Sequence, residues 1–253
     1  MTWLTAAMLL NVVESGAGEA CAVLLHGMMG SAESWHRVAP VLANSGYRVL
    51  AIDLPGHGLS PRDPHLTFDG ALQSVIDTVR AAAGRDPVVA IGHSYGGLLL
   101  AAAAPLLRPE VAVYVDTPFT LTGGQDGDAL TARYERDRRR RTPAWLLRTR
   151  PHYGENDAAV EGRAAERFDP STSASLSTGR GGSWPPAPGS IVVRADPSDY
   201  VGEGDVRRLA AAGVQVRSIA GAAHTVWYSH FDEFISSLPE VFRRREADVG
   251  RGL

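Results

Sequence analysis

The stretch Val88 to Leu100, VVAIGHSYGGLLL, carries a serine in a setting suited to nucleophilic chemistry. Gly92-His93-Ser94-Tyr95-Gly96 has the pattern G-x-S-x-G. In that pattern a serine caps a sharp strand-to-helix turn, and the flanking glycines let backbone pass close by without a Cβ clash. The hydroxyl then stands at the start of a helix, where backbone N–H groups and the helix dipole favour a developing negative charge. A serine hydroxyl attacks poorly at neutral pH and needs a base to take its proton. Histidine suits the task because its pKa lies near working pH, and a carboxylate must hold its ring in the right tautomer. Of the eight histidines, His224 lies just past the last predicted strand, after Gly221-Ala222-Ala223. His36, His57, His65, His152 and His230 have no comparable setting.

Two further turns stand at the ends of apolar runs. Ala20 to Leu25 stops at His26-Gly27-Met28-Met29-Gly30, and Tyr47 to Ile52 stops at Asp53-Leu54-Pro55-Gly56-His57-Gly58-Leu59-Ser60. Alone, the first pair of glycines need only allow a tight turn. Together with G-x-S-x-G, the turns HGxxG and DxPGxGxS resemble those of the alpha/beta-hydrolase family.

The resemblance implies a nucleophile, Ser94, and a base, His224, whose G-x-x-H context matches the family. It implies an oxyanion hole of two backbone N–H groups, from Met28 and from Tyr95. His26 and His93 are expected to orient loops, and the loop holding Asp53 and His57 is structural in the family. The triad acid lies between serine and histidine in the chain, most often in the loop after a late strand. Asp196, in an Asp-Pro pair at the strand end, is the first choice there. Asp199 is second; the family's G-x-x-D spacing would fall between the two, because Ala195 replaces the usual glycine. Asp116, at the end of the run Val111 to Val115, is third and matches a position that some members use. The implied chemistry is hydrolysis of a carboxylic ester or thioester of a small to medium apolar molecule through an acyl-enzyme. It requires no metal or organic cofactor, and no H-E-x-x-H, C-x-x-C or dinucleotide-type glycine loop is present. The same fold also hosts C–C bond hydrolases, lactonases, lyases and cofactor-free haloperoxidases, and a binding protein could keep the triad. A serine at 94 argues against the members that use a carboxylate nucleophile.

The elements that must position these residues follow from the apolar pattern. A helix at Phe68 to Ala83 presents Leu72, Val75, Ile76 and Val79 on one face and stops at Gly84. Leu98 to Leu107 and Ser34 to Ser45 also read as helical. Strand and helix thus alternate from residue 20 to 116, which predicts an α/β fold with a mostly parallel, doubly wound sheet. From Phe119 to Pro188 no strand period is found. Helices are expected at Ala129 to Arg141 and Asp157 to Phe168, followed by a return rich in Ser, Gly and Pro. We read residues 119–188 as an inserted helical cap, and residues 1–118 and 189–253 as the core domain. Met29, Trp145, Leu146 and Tyr153 are candidate pocket residues, with Leu147 and Trp184 as further apolar roof. The run Arg138 to Arg141 reads as a solvated helix face. The sheet resumes at Ser190 to Arg194. A helix at Asp205 to Ala212, a strand at Val214 to Ile219 and a helix from Phe231 to about Arg245 follow, with a frayed polar tail.

Composition sets the outer limits. The 253 residues are 44% hydrophobic and 21% charged, as in soluble globular proteins, and a single large α/β domain absorbs this length. A formal charge of −3 gives no reason to expect nucleic acid as partner. All 25 basic residues are arginine, read first as a coding bias. Cys21 is the one cysteine, placed in an apolar run as packing, so no internal disulfide forms. Trp3 to Val13 is too short to span a bilayer and lacks a basic leader, so a first strand or hairpin is expected there. A cytoplasmic enzyme acting on a small molecule, without a membrane span, is the resulting expectation.

Overall fold

A computed structural model describes residues 8–243. Its strands are β1 (Val12–Ser15), β2 (Ala20–Leu25), β3 (Tyr47–Ile52), β4 (Val89–His93), β5 (Val111–Val115), β6 (Thr120–Leu121), β7 (Gly182–Ser183), β8 (Ile191–Asp196) and β9 (Gln215–Ala220). Seven form one sheet in the order β1-β3-β2-β4-β5-β8-β9. β1 runs antiparallel to β3, and the other neighbours in that sheet are parallel. The alternation of each strand divides the core. Val23, Leu25, Leu50, Ile52 and Ala90 belong to one apolar cluster. Ala22, Leu24, Val49, Ala51, Val89, Ile91, Val113 and Val115 belong to the other. Both faces are covered, which is why these strands read as continuous apolar runs.

The helices are α1 (Ala39–Asn44), α2 (Phe68–Ala83), α3 (Tyr95–Leu107), α4 (Gly127–Arg140), α5 (Pro143–Thr149), α6 (Glu155–Glu166), α7 (Pro170–Ser175), α8 (Glu203–Ala211), α9 (Val226–Ser229), α10 (Phe231–Ser236) and α11 (Pro239–Phe242). α2 begins where the Thr67 hydroxyl accepts from Gly70 N–H, and it ends at Gly84 in the left-handed region, φ 70°. α2 and α3 pack on the first face, while α1, α10 and α11 pack on the second.

Three expectations change. The helix expected at Ser34 to Ser45 divides into a 3₁₀ turn, Ala32–Trp35, and α1. The expected final helix breaks into α10 and α11 at Pro239, which lacks an N–H and cannot continue the preceding turn. In the stretch expected to lack strands, β6 pairs antiparallel with β7 and so joins the two ends of the insert between β5 and β8. Most of the first-strand expectation at Trp3 to Val13, the last two residues of the expected final helix and the frayed tail lie outside the described residues. Among the described residues no helix is long and apolar enough to cross a membrane.

The insert between β5 and β8 carries α4 to α7 and is fastened to the sheet domain by charge. Asp157, 1% exposed, accepts from Arg37 Nε at 2.9 Å, from Arg37 Nη2 and from Gly154 N–H at 2.7 Å, with His36 Nε2 at 3.1 Å. Glu33 takes Arg163 Nη2 at 2.7 Å and Arg167 Nη1 at 3.1 Å.

Candidate active site

Ser94 joins β4 to α3 with φ 50° and ψ −117°, a backbone state that costs about 1–3 kcal/mol and persists only where its surroundings impose it. They do so here. Ser94 N–H donates to Val115 O, and Ser94 O accepts from Leu98 N–H, both at 3.0 Å. A Cβ on Gly92 would lie 2.6 Å from Gly97 Cα, one on Gly96 2.4 Å from His26 O, and one on Gly97 2.0 Å from Thr117 Oγ1. The turn therefore fits only because these positions lack side chains. Tyr95 is the first residue of α3, so its N–H has no intrahelical acceptor.

His224 follows β9, and its Nδ1 lies 2.7 Å from Asp116 Oδ2. Asp116 follows β5, takes φ 43° and is 1% exposed. Its second oxygen accepts from Ser198 Oγ at 2.6 Å and from Ala195 N–H at 3.2 Å. An ionised carboxylate only accepts, so the network assigns the imidazole proton to Nδ1 and leaves Nε2 with a free lone pair. The loop is held on both sides of the ring. His93 Nε2 donates to His224 O at 3.0 Å, and Ala223 N–H donates to Ser229 Oγ at 3.0 Å. Trp227 stacks on Trp35 at 4.3 Å, and its Nε1 donates to Ser34 O.

This geometry reorders the three aspartates. Asp196, the first choice, lies within β8 rather than beyond it, in register with Ala220. Two residues on from Arg194, it shares that residue's face of the strand and pairs with Arg194 Nη2 at 3.2 Å. Asp199 is exposed and is not the partner of His224. Asp116, the third choice, is.

The turn at Gly27 to Gly30 is closed by Gly30 N–H to Gly27 O at 3.0 Å, with φ 62° at Met29, so it is a type II turn with Met28 at its first corner. Two buried histidines brace it. His57 Nδ1 donates to Pro55 O, and its Nε2 accepts from Met29 N–H. His26 Nδ1 donates to Gly27 O, and its Nε2 accepts from Leu54 N–H. Burial lowers their pKa values to about 3 for His57 and about 4 for His26, so both rings stay neutral as these bonds require. Asp53 accepts from Ala32 N–H, Leu59 N–H and Asn11 Nδ2. Asp53 and His57 thus hold loops together. Met28, Met29, Ser94, His224, Tyr153 and Trp227 line one cavity of about 470 Å³.

The model of the alpha/beta hydrolase family matches residues 22–237. The chain belongs to that family. Similar structures include a bromoperoxidase from Bacillus anthracis, with a TM-score of 0.72 at 20% identity, covering 92% of this chain and 94% of that one. A hydrolase from Pseudomonas aeruginosa PA01 gives 0.70 at 20% identity, covering 92% and 93%. Among curated relatives, Esterase YbfF of Escherichia coli (strain K12) is 37% identical over 89 residues, 35% of this chain and 34% of that protein. Methylesterase 9 of Arabidopsis thaliana is 33% identical over 95 residues, 37% of each chain. The matches therefore span little more than a third of these relatives.

The cavity of this alpha/beta hydrolase is more polar than the apolar roof expected from sequence. Trp145 and Leu146 do not line it. Leu146 is fully buried in the second core cluster and Trp145 packs against that cluster. Leu147 is exposed, and Trp184 stacks on Phe68 at 4.4 Å, beside a separate cleft of about 860 Å³. The insert instead contributes Arg141, Arg150, His152 and Glu161 beside Tyr153. Arg141, read as part of a solvated face, pairs with the buried Glu161 at 3.0 Å. Neither Arg150 nor His152 carries a local signal that would have singled it out. Ser198, which fixes Asp116, and Tyr200, whose ring lies 4.4 Å from His224, were equally unmarked.

Proposed function

We propose that this alpha/beta hydrolase cleaves a carboxylic ester or thioester by covalent acyl transfer. Ser94 Oγ attacks the carbonyl, and His224 Nε2 takes its proton and returns it to the leaving group. Asp116 holds the ring with Nδ1–H toward itself and stabilises the imidazolium. The Met28 and Tyr95 N–H groups stabilise the oxyanion, aided by the N-terminus of α3. Water activated by His224 then releases the acid. The observation that carries this reading is the 2.7 Å bond between His224 Nδ1 and Asp116 Oδ2, on the cavity that Ser94 also lines. Residues 119–188 serve as the lid. A volume of about 470 Å³ suits a small to medium molecule, with Met28, Met29, Tyr153 and Trp227 as its apolar contacts.

The test is labelling by a fluorophosphonate probe, with Ser94→Ala as control, alongside p-nitrophenyl esters of rising acyl length. Labelling confined to Ser94, with turnover lost in the variant, is the expected result. Absence of both labelling and turnover overturns the reading. One relative over the matched stretch is named an alpha-hydroxynitrile lyase. A lyase would use the same groups without an acyl-enzyme, so a p-nitrophenol burst separates the two.

A further inference from the structure

We infer that the ester this site takes carries a second, anionic group, a carboxylate or phosphate remote from the scissile carbonyl, held by Arg141 and Arg150. The inference rests on the hydrolase reading for its claim that the anion belongs to an ester. The anion site itself stands on the cavity.

The cationic lining is built, not incidental. Arg141 is the single residue between the end of α4 and Thr142, the N-cap of α5, and its side chain is only 18% exposed. One of its terminal nitrogens, Nη2, donates to Glu161 Oε2, while Tyr228 Oη donates to Glu161 Oε1 at 2.9 Å. Glu161 is therefore engaged through both oxygens. Arg141 Nε is buried with no hydrogen-bond partner among the described residues. That nitrogen is closed off from solvent, so Arg141 meets the cavity through other atoms of its side chain. Arg150 lines the same cavity and forms no ion pair among the described residues. Two residues beyond Arg150, His152 meets Tyr153 edge-on at 5.1 Å, and Tyr153 meets Tyr228 at 5.0 Å, which leads back to Glu161 and Arg141.

The carboxylates on this cavity are Glu161 and Asp199. Glu161 is taken up by Arg141 and Tyr228. Asp199 is exposed next to Tyr200, whose ring lies tilted against His224, so it belongs to the catalytic rim rather than to the lid cluster. On the lid side the uncompensated charge is positive. Guanidinium groups recognise carboxylate and phosphate through paired N–H donors, which makes an acid-bearing substrate the chemistry these residues fit.

Two length-matched esters test this: p-nitrophenyl hydrogen adipate, ending in a carboxylate, and p-nitrophenyl hexanoate, ending in a methyl group. The expected kcat/KM favours the acid ester by about tenfold or more, the range for a charged hydrogen bond. Arg141→Gln strands the Glu161 carboxylate and risks the fold, so Arg150→Gln, on an exposed side chain, carries the comparison. It should bring the ratio of the two esters close to one. Calorimetric titration of Ser94→Ala with adipate and with adipamide reads the site without turnover. Binding of adipate alone, lost on adding Arg150→Gln, supports the site. Ser94-dependent cleavage of both esters with no preference for the acid overturns the inference and leaves the hydrolase reading standing. Adipate binding without cleavage of either ester overturns the hydrolase reading and leaves the anion site. Failure of adipate to bind overturns the anion site.

Discussion

Replacement of Asp116 by asparagine separates the three aspartates most sharply. The substitution keeps the number of heavy atoms, and asparagine tolerates the left-handed backbone at this position, φ 43°, so the fold is retained. What changes is the direction of one hydrogen bond. The oxygen next to Ala195 must still accept, because Ala195 N–H is a fixed donor at 3.2 Å. Asparagine therefore turns its oxygen toward Ala195 and Ser198, and its NH₂ toward His224. That NH₂ must find a lone pair on Nδ1, which moves the imidazole proton to Nε2. A ring protonated at Nε2 cannot take the proton of Ser94. From the triad precedent, the loss in kcat is about 10⁴, or about 5.5 kcal/mol in the barrier. Burst kinetics on a p-nitrophenyl ester measures the acylation rate directly. Asp196→Asn, which weakens a half-exposed pair with Arg194, should stay within about threefold of the parent rate. If Asp116→Asn keeps its acylation rate within tenfold while Asp196→Asn loses three orders of magnitude, the hydrogen-bond assignment is wrong.

Three further outcomes follow from the surroundings of the site. His57 and His26 have folded-state pKa values of about 3 and about 4, below the ordinary 6.5. Their contribution to stability is therefore full above pH 6.5 and is lost as pH falls from there through the folded values. Each ring adds a slope approaching about 1.4 kcal/mol per pH unit inside that window. Urea midpoints measured from pH 7 to 4 should fall, and less steeply in His57→Gln. Gly96→Ala drives a methyl to within 2.4 Å of His26 O and 2.5 Å of Leu25 O, both backbone atoms. It should cost about 3 kcal/mol and lower Tm by about 6–12 °C in calorimetry; a shift under about 2 °C would contradict the contact. Tyr95 Oη is buried without a partner among the described residues, so Tyr95→Phe should leave the urea midpoint equal or higher, and a clear drop would reveal a partner.

The parts of this site that were legible in the sequence are those set by local backbone geometry. G-x-S-x-G marks a turn that admits no side chain at Gly92 or Gly96, and the structure puts backbone atoms in each space. The strands β2, β3 and β5 end where their apolar runs end, because each is buried on both faces up to the loop. The acid was harder to place because its identity depends on where β8 stops. A strand ending at Arg194 leaves Asp196 in a loop; the real strand runs two residues further and gives Asp196 to Arg194. Pairing extends that far because β9 continues alongside, Asp196 against Ala220, and no local pattern in β8 announces it.

Helices were expected within residues 119–188 and α4 to α7 are found there, but the direction of their side chains was not legible, and Arg141 illustrates why. Within Arg138 to Arg141 the charges look equivalent, and Arg138 and Arg139 do share Glu135 on one face of α4. The helix ends at Arg140, however, and Arg141 has φ −77° and ψ 48°, outside the helical region. Thr142 then starts α5 by accepting from Trp145 N–H, with Pro143 at the first turn of α5. A residue in a two-residue corner no longer follows the helical period, so its side chain departs from the row that its neighbours occupy. The corner delivers Arg141 to the buried Glu161 on α6, and Tyr228 on α9 holds that carboxylate from the sheet side. The charge that faces the cavity is thus fixed by three elements distant in sequence. The anion site proposed for this cavity accordingly rests on that corner, rather than on the nucleophile turn that matches the family's pattern.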